Sequence, residues 1–149
     1  MEIRKAKKED FKSCLAISRS LPEWFEEKEL SEIHRQILSL PTYLIEDVGI
    51  LAFVIIEDKD TETVEIKHLA VSRDHQRSGL GTKLLEYIEK EYSKKTYVEV
   101  KTLDESAEYE PYVSTRSFYE KNGFTKVKVI DPYPGWSLGN PCAVYRKSI

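Results

Sequence analysis

The stretch from Thr63 to Leu103 constrains the fold most. Thr63 to Val71 (Thr-Val-Glu-Ile-Lys-His-Leu-Ala-Val) reads as a strand, and Tyr97 to Leu103 alternates like a second one. Between them Leu80, Leu84, Leu85, Ile88 and Tyr92 recur at helical spacing and mark a strongly amphipathic helix. Strand, helix, strand in that order implies at least one parallel pair within a mixed sheet. The join from strand to helix, Ser72 to Gly81, is polar and carries two glycines.

The flanking segments extend this pattern. Glu2 to Ala6 is short and alternating, as an edge strand would be. Lys8 to Arg19 and Glu26 to Leu38 read as helices, the second ended by Pro41. Strands are expected at Tyr43–Glu46 and Ile50–Glu57, and the unbroken apolar run Leu51 to Ile56 predicts a strand covered on both faces. A short helix is expected at Ser114–Lys121, capped by Gly123, followed by strands at Phe124–Ile130 and Ala143–Lys147. No repeat or linker divides the chain, so residues 1–149 are read as one α/β domain.

Composition removes several classes. With 149 residues a chain buries about 68–70% of its unfolded surface, enough for a true core. Hydrophobic residues at 40% and charged residues at 33% exclude a disordered chain. A net charge of −3, without aromatics interleaved among basic residues, argues against nucleic-acid binding. No apolar run approaches a membrane span, and Met1-Glu2-Ile3-Arg4-Lys5 does not open a signal peptide. Cys14 and Cys142, far apart in sequence, point to a reducing, cytoplasmic setting rather than a disulfide framework. His34 and His75 have no partners at metal-ligand spacing, so no metal is expected.

The chemistry concentrates in Gln76-Arg77-Ser78-Gly79-Leu80-Gly81-Thr82. A loop entering a helix aims backbone N–H groups at one spot and adds the positive end of the helix dipole, which suits a phosphate or pyrophosphate. Gly79 and Gly81 would let the backbone approach such a ligand, and Arg77 would add a charged contact. The spacing is not that of a Walker A loop, and Leu84 stands where a dinucleotide fingerprint needs its third glycine.

The run Glu65 to Gly81, with Leu-Ala-Val ending a strand and Gln-Arg-Ser-Gly-Leu-Gly opening a helix, resembles the core motif of the GNAT superfamily of N-acetyltransferases. Arg116-Ser117-Phe118-Tyr119-Glu120-Lys121-Asn122-Gly123-Phe124 resembles a second element of that family, and the two come in the family's order. The resemblance implies a single-domain GNAT-like fold with a central mixed, mostly antiparallel sheet flanked by helices. It implies acetyl-CoA as cosubstrate, its pyrophosphate on Gln76, Arg77, Ser78, Gly79, Leu80, Gly81 and Thr82. Its pantetheine arm would lie along the backbone of Leu69, Ala70 and Val71. The chain departs from the family at Tyr112 and Thr115, where many members have Asn and Ala.

By the same resemblance Tyr119 is the candidate acid that protonates the departing thiolate. Glu65, six residues before Val71, is the candidate base for the acceptor amine, directly or through water; Glu99 is a less favoured one. Alternation groups Glu65 with Lys67, Leu69 and Val71, and puts His68 on the other face as a packed histidine. Acidic clusters (Glu23, Glu26, Glu27, Glu29, Glu32 and Asp104, Glu105, Glu108, Glu110), with Trp24, Phe25, Tyr109 and Tyr112 among them, would steer a cationic amine. The expected activity is direct acetyl transfer to a primary amine, small-molecule or peptide, through a tetrahedral intermediate stabilised by backbone N–H groups near Leu69 to Val71. The expected form is a monomer or homodimer. The alternative is a catalytically inactive CoA-binding or regulatory module.

Overall fold

A computed structural model describes all residues, Met1–Ile149. The elements are β1 (Glu2–Lys5), α1 (Phe11–Arg19), α2 (Glu27–Ser39), β2 (Thr42–Asp47), β3 (Gly49–Asp58), β4 (Thr63–Val71), α3 (Leu80–Glu91), β5 (Tyr97–Leu103), α4 (Pro111–Lys121), β6 (Thr125–Ile130) and β7 (Cys142–Ser148). The seven strands form one sheet in the order β1-β2-β3-β4-β5-β7-β6. Only β4 and β5 run parallel, joined by α3 as the crossover. The other pairs are antiparallel.

Two helix boundaries differ from the sequence reading, each for a local reason. Lys8–Asp10 is a 3-10 turn before α1, because Asp10 is drawn to the Arg4 guanidinium (2.8 and 3.0 Å) and the Lys7 N–H (2.7 Å). Helix α4 starts at Pro111, three residues early, since proline suits the first helical position.

Each face of the sheet has its own core. Helices α3 and α4 cover Val54, Ile56, Val64, Ile66, Val98 and Val100 with Leu84, Leu85, Ile88 and Tyr119. Helices α1 and α2 cover Leu44, Phe53, Ile55 and Ala70 with Cys14, Ile17, Leu30, Ile33 and Ile37. Strand β3 is apolar from Leu51 to Ile56 because both cores claim it. Burying each α2 side chain is worth about 1.5–3 kcal/mol, more than helix propensity supplies, so packing holds α2 in place.

Candidate active site

The sheet splits at its centre. Strands β4 and β5 pair from Thr63–Tyr97 to Ile66–Val100 and then separate. Beyond that point β4 stays on β3 through Val71–Ala52, and β5 stays on β7 through Leu103–Cys142. A wedge therefore opens between two half-sheets that are each fully paired outward. Leu69, Ala70 and Val71 run along one lip, their inner edge bare of a strand partner. An extended ligand arm can pair with that edge as an added strand would.

The loop at the mouth of the wedge supplies anion-binding groups. Arg77 (φ 62°) and Gly79 (φ 86°) are both left-handed, and Gly79 caps α3 with no side-chain cap bond. As a result the six amides from Arg77 to Thr82 donate to no protein acceptor. Leu80 is buried and anchors the helix start from below, while Gln76 Nε2 donates to the Val71 carbonyl (3.2 Å), tying loop to strand. Free amides at the positive end of a 12-residue helix fit a diphosphate.

Gly81 has a packing role in addition to the ligand approach that its sequence neighbourhood indicates. A Cβ there would lie 2.8 and 2.9 Å from Cζ and Cε1 of the Phe118 ring. The glycine admits α4 against the first turn of α3, so a larger residue disturbs helix packing before any ligand. Gly79 is the position where backbone conformation alone is at stake, since its Cβ would meet nothing within 4 Å.

Tyr119 follows Phe118 and points into the α3/α4 core, 5% exposed, in edge-to-face contact with Phe124 (5.3 Å). Burial, and secondarily the neighbouring Tyr112, pushes its hydroxyl well above the usual phenol range. The phenol therefore keeps its proton near neutral pH. Arg116 donates to the Leu103 carbonyl (2.9 Å) and fixes α4 to the far lip.

The segment between α1 and α2 bridges both lips. Glu23 accepts both Arg73 guanidinium nitrogens (2.7 and 2.8 Å) just after β4. On the other side Tyr109 Oη donates to the Glu23 carbonyl (2.7 Å), Tyr112 Oη to that of Trp24 (3.0 Å), and Trp24 Nε1 to that of Pro111 (3.0 Å). Tyr112, where many family members carry Asn, is thus a structural clasp. The acidic clusters are partly spent: Arg73 holds Glu23 down at about 2, and Asp104, despite burial, is held at about 2 by Ser106 and Lys126. Glu26, Glu27, Glu29, Glu32, Glu108 and Glu110 form no ion pair within 4 Å, unlike Glu23, Asp104 and Glu105.

Strand β4 contains a bulge that changes the face assignments. His68 pairs with Ile55 and Ile66 with Ile56, so Lys67 is an extra residue. The bulge restarts the alternation. Leu69 and Val71 fall on the α3 side with Val64 and Ile66, whereas Glu65, Lys67, His68 and Ala70 face α1 and α2. The expectation that Glu65 shares a face with Leu69 and Val71, and that His68 opposes it, is corrected accordingly. His68 packs as expected of a buried histidine: its ring meets Phe25 (4.4 Å) and Phe53 (5.3 Å), and Nε2 bonds Ser18 Oγ (2.9 Å). Burial lowers its pKa to about 3.

Glu65 and Glu99 face each other across β4 and β5, both buried. Lys101 reaches Glu65 at 2.9 Å, with Lys67 at 3.5 Å and Lys59 at 3.8 Å. Lys59 (2.8 Å) and Arg146 (3.0 Å) hold Glu99; their bonds outweigh its burial and lower its pKa. The sequence reading lists neither Lys59, Lys101 nor Arg146 beside these carboxylates; two-residue alternation in β5, which sets Lys101 beside Glu99, is the signal that would find Lys101. The wedge thus separates Tyr119 on the α3/α4 side from Glu65 on the α1/α2 side. No three His, Cys, Asp or Glu side chains are grouped to hold a metal ion, and no helix is long and apolar enough to cross a membrane.

The split sheet, the free-amide loop at its mouth and the buried Tyr119 frame the candidate site, and comparison with known proteins gives the family. The acetyltransferase (GNAT) domain matches residues 40–126, more than half of the chain. Among solved structures, a GNAT-family protein from Desulfovibrio desulfuricans superposes with a TM-score of 0.83 at 19% identity, over 99% of this chain and 98% of that one. An aminoglycoside 6'-N-acetyltransferase complexed with coenzyme A gives 0.74 at 20% identity over 99% and 97%. A GNAT acetyltransferase from Elizabethkingia anophelis with acetyl-CoA bound gives 0.72 at 21% identity over 99% and 97%. No curated protein sequence matches. The chain belongs to the GNAT acetyltransferase family: it is an N-acetyltransferase by class.

Proposed function

We propose that this protein transfers the acetyl group of acetyl-CoA directly to a primary amine, without a covalent enzyme intermediate. The observation that carries the reading is the six unpartnered amides at the wedge mouth, in line with the bare edge of β4. Gln76 to Thr82 would hold the pyrophosphate and Leu69 to Val71 the pantetheine arm, so that the thioester lies in the wedge. Backbone N–H groups of that lip would stabilise the oxyanion of the tetrahedral intermediate.

The acceptor would enter from the α1/α2 side, opposite Tyr119. Glu65 is 4% exposed at its side chain and engaged by Lys101, so in this reading it takes the amine proton through water rather than by direct contact. Tyr119 gives its proton to the thiolate as the intermediate collapses. Cytoplasmic residence belongs to the same proposal, supported by two buried free thiols.

A thiol-release assay over polyamines, aminoglycosides, amino acids and peptides tests the activity. Turnover with at least one amine is expected, whereas CoA binding without turnover on any would leave the inactive binding module. Tyr119→Phe should lower kcat by about 10²–10⁴-fold with CoA affinity retained. Near-normal turnover in that variant would assign thiolate protonation to solvent.

A further inference from the structure

A cavity of about 550 Å³ lies between α2 and the β6–β7 connection, within the size range of small-molecule sites. One wall is the α2 face carrying Lys28, Ser31, Glu32 and Arg35, one helical turn apart. The other is a preformed turn, Tyr133-Pro134-Gly135-Trp136. Trp136 N–H closes it on the Tyr133 carbonyl (3.0 Å), with Gly135 at φ 91°, the pattern of a type II turn. The turn puts the Tyr133 and Trp136 rings side by side, 4.9 Å apart, and Lys28 Nζ docks it on α2 through the Gly135 carbonyl.

The charges are unbalanced. Neither Lys28 nor Arg35 has a carboxylate partner within 4 Å; only the Arg35 carbonyl is engaged, by Ser39. The single lining carboxylate, Glu32, accepts instead from Gln36 (3.2 Å). The β6–β7 connection leaves the sheet at the Ile130–Cys142 pair, and Cys142 pairs on its other side with Leu103, so the turn rises from the splayed end of β5, beside the far lip of the wedge.

We infer that this cavity receives the far end of the acceptor, and that this end is a carboxylate on a flat ring: the aromatic pair stacks the ring and Arg35 with Lys28 takes the carboxylate. The inference rests on the acetyltransferase reading for its placement, and it narrows the acceptor class to amines that are also acids. Free acidic side chains nearby and a cationic cavity would orient such a molecule, amine toward the thioester and carboxylate outward.

The test compares 4-(aminomethyl)benzoate with benzylamine, the same ring and amine without the acid, by calorimetry on the CoA-loaded full chain. The benzoate should bind at least about tenfold tighter, the worth of one charge-assisted contact. Arg35→Gln should remove most of that gap, and Trp136→Ala should weaken the benzoate independently. Equal binding of the two probes, or a gap that survives Arg35→Gln, overturns the inference. CoA binding and thiol release with any amine are read separately, so failure here leaves the transferase reading standing.

Discussion

Acidifying the protein from pH 7.5 to 5 should loosen the seam between β4 and α1 through His68. The imidazole is 8% exposed, sits between Phe25 and Phe53, and has one polar partner, Ser18 Oγ at 2.9 Å. Its folded pKa is lowered to about 3 by burial, against roughly 6.5 in the unfolded chain. Between those values the unfolded state binds the proton and the folded state does not, so stability falls as pH falls from 6.5 toward 3. The slope approaches about 1.4 kcal/mol per pH unit, which makes the loss about 2 kcal/mol at pH 5. Other groups titrate in the same scan, so the measurement is the difference from His68→Gln, which keeps a donor and an acceptor for Ser18 but no charge. Urea unfolding of both proteins at pH 5, 6 and 7.5 should show the wild type losing about 2 kcal/mol more than the variant. Parallel pH profiles would refute the argument, because they would mean that His68 titrates near its ordinary value in the fold.

Two glycines two residues apart, Gly79 and Gly81, should separate in what they do. Gly79→Ala forces a Cβ into a left-handed position at about 1–2 kcal/mol, lowering Tm by roughly 3–6 °C and weakening CoA binding as the amides lose their alignment; unchanged CoA affinity by calorimetry would remove the loop from the site. Gly81→Ala should instead cost about 1–3 kcal/mol through the Phe118 ring, and the double variant Gly81→Ala, Phe118→Leu should recover stability by urea unfolding. Glu65→Gln should cut the rate near neutral pH and recover part of it at high pH, where more amine is already neutral; a pH–rate profile identical to wild type would exclude Glu65 from proton transfer.

The parts of this protein that were legible in its sequence are those set by local periodicity. The Leu51–Ile56 run told of a strand buried on both faces, and β3 is that strand. The spacing of Leu80, Leu84, Leu85 and Ile88 placed α3 and the parallel crossover it makes. Period-two counting failed at Lys67, since a bulge is one residue that pairs with nothing and leaves no compositional mark. That single residue turned His68 and Glu65 onto the same side. Cross-strand contacts were equally hidden: the Lys101–Glu65 pair spans 36 residues and the Arg73–Glu23 clasp spans 50. Side-chain spacing along one segment carries no information about either.

On the proposed reading, the bulge lets one strand serve both halves of the reaction. In an unbulged β4, Glu65, Leu69 and Val71 would share a face, so the lip residues would turn to the side where the carboxylate stands. With Lys67 inserted, Leu69 and Val71 turn toward α3 while Glu65 stays with α1 and α2. The two sequence motifs, one ending at Gly81 and the other built on Phe118-Tyr119, are brought into contact by the glycine-to-ring packing, with Tyr119 in the core between α3 and α4. An acid on one side of the sheet and a buried carboxylate on the other would match the proposed reaction, in which the amine bonds to the thioester carbon and loses its proton while the thiolate departs and gains one. Placing the proposed proton acceptor and donor on opposite faces would keep them from neutralising each other directly, so each would stay in the protonation state that its step requires.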